Sequence, residues 1–515
     1  MPKVTIDGQE LEVAAGTTIL NACQQRGREI PHYCYHPGLT IAGNCRMCLV
    51  EVEKAPKLVI GCYTPVAEGM VVHTASEKVV TARAAMMEFF LINHPLDCPI
   101  CDQAGECRLQ EYAVEYGDGE SRYTEPKLAL SKAVDIGPHV MLDQERCIQC
   151  SRCIRFCDEV TKTGELGFFE RGERSQIGIF PGKRLDNAYS GNVVDLCPVG
   201  ALTLKEFRFA TRVWYLKNTP TICGGCARGC NVVVGVGQQQ TMMTTTGQLD
   251  DRVKRIVPRV NEAVNGHWIC DEGRLSYERE QQATRLETPQ KAGTGTTYDE
   301  AVQAAAATLK AGKPAMLASA RLVAEDLFAW KSLIVALGGT STSFRRVVRG
   351  GDDAILYRAD KGANSKGAEW ILGSAASEAP GSGPLLVLGD TLDPQDTAPK
   401  VAGRPVVFVG PFVSGAAEGA AVAIPSASWS EADGTFVNFE GRAQRVRRCH
   451  LPLGEARPGW RIAMDIAEAA GVSLPAWGSA DDVLADLAKA VREFEGVTPE
   501  TLGLLGVPAA AAARA

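Results

Sequence analysis

Seventeen of the eighteen cysteines in this 515-residue chain fall before residue 271, and only Cys449 lies beyond. A chain this long, whose start Met1-Pro2-Lys3-Val4 has no apolar export core, is expected to meet a reducing compartment, where metal ligation outranks a disulfide framework. The front half is therefore read as metal-binding domains and the rear half as something different. Composition enters as a set of exclusions. Lys+Arg 54 against Asp+Glu 61 gives a net charge of −7, which offers no basic excess for nucleic acid. The most apolar stretch, 406–424, is interrupted by Pro411, Gly415, Glu418 and Gly419, so no membrane span is expected.

The first group, Cys34, Cys45, Cys48 and Cys62, has the pattern C-x10-C-x2-C-x13-C. Four thiolates suit tetrahedral zinc or an iron–sulfur cluster. The context favours the cluster: Val4–Ile6 and Leu11–Val13 read as strands around an Asp7-Gly8 turn, followed by a helix over 18–27 capped by Thr17. That is the ββα opening of a [2Fe–2S] ferredoxin-like domain, with a ligand spacing different from the plant type.

The second group, His94, Cys98, Cys101 and Cys107, follows a helical period over 76–93 that Ser76 is placed to cap and Pro95 ends. A lone histidine is seldom a ligand, but three cysteines at x3, x2 and x5 make this one a candidate. A neutral imidazole in place of one thiolate would leave a [4Fe–4S] cluster one charge less negative and raise its potential.

The third run, Cys147, Cys150, Cys153 and Cys157, matches the bacterial ferredoxin signature, whose fourth cysteine serves a second cluster. No second triplet follows, so Cys147, Cys150, Cys153 and Cys197 are expected to close one [4Fe–4S] site, with Cys157 a buried thiol. The fourth group, Cys223, Cys226, Cys230 and Cys270, spaced C-x2-C-x3-C-x39-C, lacks the second C-x2-C pair of a zinc ribbon and predicts a further [4Fe–4S] cluster. Cys23 reads as core packing. Cys449, beside Arg447, Arg448 and His450, reads as an exposed thiol whose pKa those cations could lower.

This order of motifs closely resembles the large iron–sulfur subunits of bacterial NADH:quinone oxidoreductase (respiratory complex I). Further matching segments are Ser190–Thr203, Asn261–Arg274 and, more loosely, Ser430–Arg442. The resemblance implies the same ligand sets, one [2Fe–2S] and three [4Fe–4S] clusters, the third [4Fe–4S] site being the least certain in geometry because 238–249 looks like an insertion. It implies an electron relay rather than the NADH- or quinone-binding subunit. The expected partners are an NADH/FMN-binding flavoprotein and quinone-side subunits of the peripheral arm, on the cytoplasmic side of the inner membrane, with membrane contact only through partners.

The rear half alternates short apolar strands (315–318, 385–389, 406–409, 422–424) with helices, notably 325–337, which argues a doubly wound α/β layer. Neither a G-x-G-x-x-G nor a P-loop motif follows these strands, so no NAD or FMN site is expected. The fourth cysteine group followed by α/β layers also resembles the start of molybdopterin oxidoreductases such as formate dehydrogenase. With no cysteine between Cys270 and Cys449 to reach a metal, a scaffold without molybdopterin is expected. Formate dehydrogenase, iron-only hydrogenase and zinc-stapled interaction modules are the competing readings, as is the diaphorase small subunit of a soluble NAD-reducing hydrogenase, which shares the first domains but usually ends near the third cluster. The full expectation is α+β ferredoxin-like iron–sulfur domains followed by an α/β molybdopterin-oxidoreductase-like domain. Its boundaries are 1–76, 77–116, 117–212, 213–285 and 286–500, with a low-complexity tail at 501–515 and no catalytic residues.

Overall fold

The computed structural model describes residues 1–240, 249–250, 252–282, 284–376, 378–389, 403–413, 417 and 419–509. The expected insertion falls largely outside these residues, as do 510–515. The chain divides into two compact units, Met1–Tyr215 and Leu216–Ala515.

The first unit opens on a hairpin, Lys3–Ile6 with Gln9–Glu12, in which Ile6 opposes Gln9. The two connecting residues, Asp7 and Gly8, have φ 45° and 81°, the left-handed pair of a type I′ turn whose twist matches the strands. The hairpin forms one edge of a five-stranded mixed sheet ordered Gln9–Glu12, Lys3–Ile6, Met70–His73, Leu49–Val52, Val59–Ile60. The helix Ile19–Gln25 buries Leu20 and Cys23 against it. Its N-cap is Thr18, whose Oγ1 accepts from the Asn21 amide, so the cap lies one residue beyond the expected Thr17. Glu77–Leu91 is the second helix; Ser76 occupies its N-cap but makes no side-chain capping bond. Val134–Asp135, Val140–Leu142 and Leu202–Leu204 build a small antiparallel sheet that brackets the third cysteine run.

The second unit begins with a three-stranded antiparallel sheet, Leu216–Ile222, Asn231–Gly237 and Val253–Pro258. Beyond it lies a seven-stranded sheet. Ser341–Arg345, Ala315–Ser319, Leu385–Leu388, Val406–Gly410 and Val422–Pro425 run parallel, and the hairpin Gln290–Lys291/Thr294–Gly295 adds antiparallel to one edge. Because strand side chains alternate, Met316 and Ala318 enter one core while Ala315 and Leu317 enter another. Burial on both faces is why these strands are continuous apolar runs without polar alternation. The helices Tyr298–Lys310, Ala324–Ala336 and Gly459–Ala470 fill the larger core, the first started by a Thr297/Glu300 capping box.

Two expectations are corrected here. Residues 501–509 are not a loose tail. Pro499–Leu502 is a capped helix, Val507–Pro508 pairs with Arg442–Ala443, and Ala509 is fully buried. Cys449 is 1 % exposed, and its amide donates to the Ser430 carbonyl at 2.8 Å. Burial pushes its thiol up to about 12, with Asp433 acting in the same direction, so the neighbouring arginines do not activate it.

Candidate metal centres

The first group lies on two loops tied together by the Gly61 amide, which donates to the Cys48 carbonyl at 2.9 Å. A β-carbon on Gly61 would meet that carbonyl oxygen at 3.0 Å, so a larger residue there would crowd the approach. All four thiols are buried. The sulfhydryls of Cys45 and Cys62 hydrogen-bond Cys34 and hold it far below the ordinary thiol range, while Cys62 does the same for Cys48. Donation to these neighbours, with burial adding to it, raises Cys45 and Cys62. The Tyr33 amide points at Cys45 Sγ from 3.4 Å. Four buried cysteines acting on one another, with a backbone N–H directed at one sulfur, fit a cationic iron–sulfide core.

In the second group, Cys98 opens a single 3₁₀ turn, Cys98–Ile100, and is exposed. Cys107 stands at the N-cap of the helix Arg108–Tyr116. The three cysteines lie within electrostatic reach of one another, and burial pushes Cys107 up to about 11. His94 lines a neighbouring cavity together with Cys147, Phe90 and Gln144. Among the described contacts none joins it to Cys98, Cys101 or Cys107, although Arg146 lies within electrostatic reach of both His94 and Cys101. Burial first, then Arg146 and Lys127, lower the imidazole to about 4, so it is neutral at physiological pH, as a ligand must be. Two arginines that no cysteine motif points to hold this loop. Arg212 donates to the carbonyls of Cys101 and Pro99, and Arg146 pairs with Asp97 at 2.9 Å and Asp143 at 3.4 Å.

The four cysteines of the third group share one cavity. Cys147, Cys150, Cys153 and Cys197 wall one cavity with Arg152, Ile177, Pro198, Val199 and Leu202. Left-handed Gln149 (φ 55°) and Ser151 (φ 62°) turn the backbone twice within this run, and the Gln149 amide faces Cys147 Sγ at 3.4 Å. Burial pushes Cys197 up to about 12 and Cys153 well above the ordinary thiol range. Cys157 does not line the cavity. It is fully buried in the single π turn Phe156–Val160, raised by burial and by Glu165.

The fourth group belongs to the second unit. Cys223 follows the strand Leu216–Ile222 and Cys230 precedes Asn231–Gly237, with the Cys223 amide bonded to the Cys230 carbonyl at 2.8 Å. Cys270 is the N-cap of Asp271–Arg274, and its sulfur accepts from the Gly273 amide at 3.4 Å, as Cys223 Sγ does from Gly225. Cys223, Cys226, Cys230 and Cys270 wall one cavity with Glu272, Tyr357 and Lys361. Lys361, 2 % exposed, pairs with Glu272 at 2.7 Å and lies 3.5 Å from the Tyr357 ring centroid. It comes from residue 361, beyond the cysteine-rich half, and only the tertiary fold reveals it. Among the described residues no three His, Cys, Asp or Glu groups converge on a single-ion position.

Family models match five separate stretches of the chain. They are a 2Fe-2S iron-sulfur cluster binding domain (2–77), the NADH-ubiquinone oxidoreductase-G iron-sulfur binding region (83–122) and the NADH-quinone oxidoreductase subunit 3 ferredoxin-like domain (137–203). An NADH-ubiquinone oxidoreductase NDSU1/NuoG-like 4Fe-4S domain (217–278) and a molybdopterin oxidoreductase domain (372–469) follow. The fold and sites thus define an iron–sulfur protein with 2Fe-2S and 4Fe-4S binding domains ahead of a molybdopterin-oxidoreductase domain. The G subunit of NADH-quinone oxidoreductase from Rickettsia felis is 43 % identical over 350 residues, 67 % of this chain and 50 % of that protein. Its counterpart from Rickettsia bellii is 43 % identical over 345 residues, 66 % and 49 %. The chain is a homologue of these G subunits of NADH-quinone oxidoreductase, and it spans about half the length of these curated relatives. A crystal structure of NAD+-reducing [NiFe]-hydrogenase in the H2-reduced state is 30 % identical, covering 41 % of this chain and 91 % of that one, with a TM-score of 0.38. Among the described residues no helix is long and apolar enough to cross a membrane.

Proposed function

We propose that this chain is an electron relay of an NADH:quinone oxidoreductase, passing single electrons from a partner flavoprotein that oxidises NADH toward subunits that reduce quinone. The carrying observation is that Cys147, Cys150, Cys153 and Cys197, drawn from two stretches of chain, wall one cavity, and Cys223, Cys226, Cys230 and Cys270 wall another. When bound, an iron–sulfur cluster supplies a one-electron couple. The chain's own residues do the rest. Cys34, Cys45, Cys48 and Cys62 would hold a [2Fe–2S] cluster, and His94 with Cys98, Cys101 and Cys107 would hold a [4Fe–4S] cluster. The two cysteine-walled cavities would hold two more. Backbone amides of Tyr33, Gln149, Gly225 and Gly273 are aimed at ligand sulfurs, where they favour the more negative, reduced state.

The α/β layer is read as a scaffold without molybdopterin, and the chain as binding neither flavin nor nicotinamide. In a cell it would sit in the peripheral arm, on the cytoplasmic side of the membrane, reaching the bilayer only through its partners. Iron and acid-labile sulfide analysis of anaerobically prepared chain, with EPR during dithionite reduction, tests the reading. One binuclear and several tetranuclear signals are expected, with none reduced by NADH alone. Zinc without sulfide, or direct reduction by NADH, would overturn it.

A further inference from the structure

Arg152 lies between two cysteine groups that are far apart in sequence. One guanidinium nitrogen donates to the carbonyl of Tyr35, beside Cys34, and another to that of Leu196, beside Cys197, at 3.2 Å. Its third nitrogen, Nε, is buried without a hydrogen-bond partner. Arg152 lines the cavity walled by Cys147, Cys150, Cys153 and Cys197, and the groups within its electrostatic reach include Cys150 and Cys197 from that set and Cys34 and Cys45 from the other. Among the described residues no carboxylate pairs with it. Arg146 makes the contrast: it also lies beside a ligand thiol, but Asp97 and Asp143 neutralise it. A guanidinium stays charged even when buried, and a buried charge without a counter-ion is costly. Such a charge persists where something negative faces it.

The two groups are also locked to each other around this arginine. Arg155, one turn further, donates to the carbonyls of Cys34 and Thr40, and Asn44 Nδ2 donates to the Gln149 carbonyl at 3.3 Å. The arginine is thus held between two rigid loops and faces both ligand sets at once.

We propose that Arg152 is a shared charge-compensating residue for the Cys34/Cys45/Cys48/Cys62 and Cys147/Cys150/Cys153/Cys197 sites. Its fixed positive charge stabilises the electron on whichever of the two is reduced and raises the midpoint potential of both. Each reduction adds one electron and one negative charge. Arg152 keeps its proton throughout, so no proton moves with the electron at this residue. The inference rests on the iron–sulfur reading above.

The test is a potentiometric titration with dithionite, followed by EPR, of the full chain and its Arg152→Gln, Arg152→Lys and Arg146→Gln variants. Arg152→Gln should lower the midpoints of the binuclear signal and of one tetranuclear signal together, while Arg152→Lys, which keeps the charge, leaves both close to the parent. Arg146→Gln should leave the binuclear midpoint unmoved. Unchanged midpoints in Arg152→Gln with both signals present would overturn the proposal. If Arg152→Gln fails to assemble, Arg152→Met, uncharged and of similar length, takes its place: lowered midpoints of both signals support the role of charge, and parental midpoints overturn it. Failure of the underlying reading is distinct, because the parent chain would then show no binuclear or tetranuclear signal.

Discussion

Gly200 and Cys101 approach so closely that a β-carbon on Gly200 would stand 2.3 Å from the Cys101 sulfur. Gly200 belongs to the Cys197-Pro198-Val199-Gly200 turn of the third group, so this contact seats the second group against the third. The neighbouring Pro198 carbonyl accepts from the Arg108 amide, next to Cys107, at 3.2 Å, which ties the same two groups again.

Gly200→Ala is therefore expected to evict Cys101 from its position, because a sulfur engaged as a ligand cannot swing aside. The tetranuclear signal of the His94 site should be lost and iron per chain should fall by the content of one such cluster. The binuclear signal, whose residues do not touch Gly200, should persist. EPR with iron analysis reads both, and full occupancy in the variant would remove Cys101 from the ligand set.

The Ser430–Arg442 segment has a structural purpose. Glu431, fully buried, accepts from one guanidinium nitrogen of Arg285 through both carboxylate oxygens, at 2.7 and 2.9 Å, and also accepts from the Ser428 amide. Asn438 closes the following hairpin by accepting from the amides of Glu440 and Arg442. Glu431→Ala would leave a buried guanidinium with only Glu280, 3.6 Å away. The expected loss is about 3 kcal/mol, at the low end for a broken buried pair. Denaturant unfolding followed by tryptophan fluorescence measures it, and Arg285→Met combined with Glu431→Leu should recover most of the loss.

Much of this was legible in the sequence, because local rules and tertiary demands coincide. Asp7-Gly8 is a hairpin turn by conformational preference, the strands at 315–319, 385–388, 406–410 and 422–425 are the apolar runs a doubly covered parallel sheet requires, and cysteine spacing exposed the cavity-lining sets. What stayed hidden depends on contacts across long separations. Arg152 reaches Tyr35 over 117 positions and Lys361 reaches Glu272 over 89, and no local pattern encodes either. Cys449 misled because its neighbours are basic, whereas its own burial is set by pairing with Ser430. The end of the chain misled through alanine content, since Ala509 is a small core residue and not a tail residue.

Glu325 gives the second unit a pH dependence. It is fully buried at the start of the helix Ala324–Ala336, accepting from the Thr435 amide at 2.7 Å and from its hydroxyl at 2.8 Å. Burial pushes its carboxyl up from 4.5 to about 7. A carboxyl raised on folding binds its proton more tightly in the native state. Its stabilising contribution is complete below pH 4.5 and is lost as pH rises through about 7. The loss amounts to about 3 kcal/mol. Glu325→Gln, which keeps an acceptor for the Thr435 amide, should flatten the fall in Tm between pH 5 and 8 and raise Tm at the alkaline end. An equal slope in both proteins would show that the carboxylate is already charged in the fold.

Ligand exposure ranks the sites by lability. Cys98 is exposed, Cys147, Cys150 and Cys197 are half-buried, and Cys223, Cys226, Cys230 and Cys270 are all buried. An iron chelator must reach the metal through solvent, so the order of extraction should follow the order of exposure, with the His94 site emptied first and the Cys34 and Cys223 sites, whose four cysteines are all buried, emptied last. Anaerobic incubation of the isolated chain with a ferrous chelator, sampled by EPR, should show one tetranuclear signal decaying ahead of the others. Cys98→Ser should abolish or accelerate that phase alone. Simultaneous decay of all signals would mean that iron leaves through global unfolding and that burial of individual cysteines does not govern it.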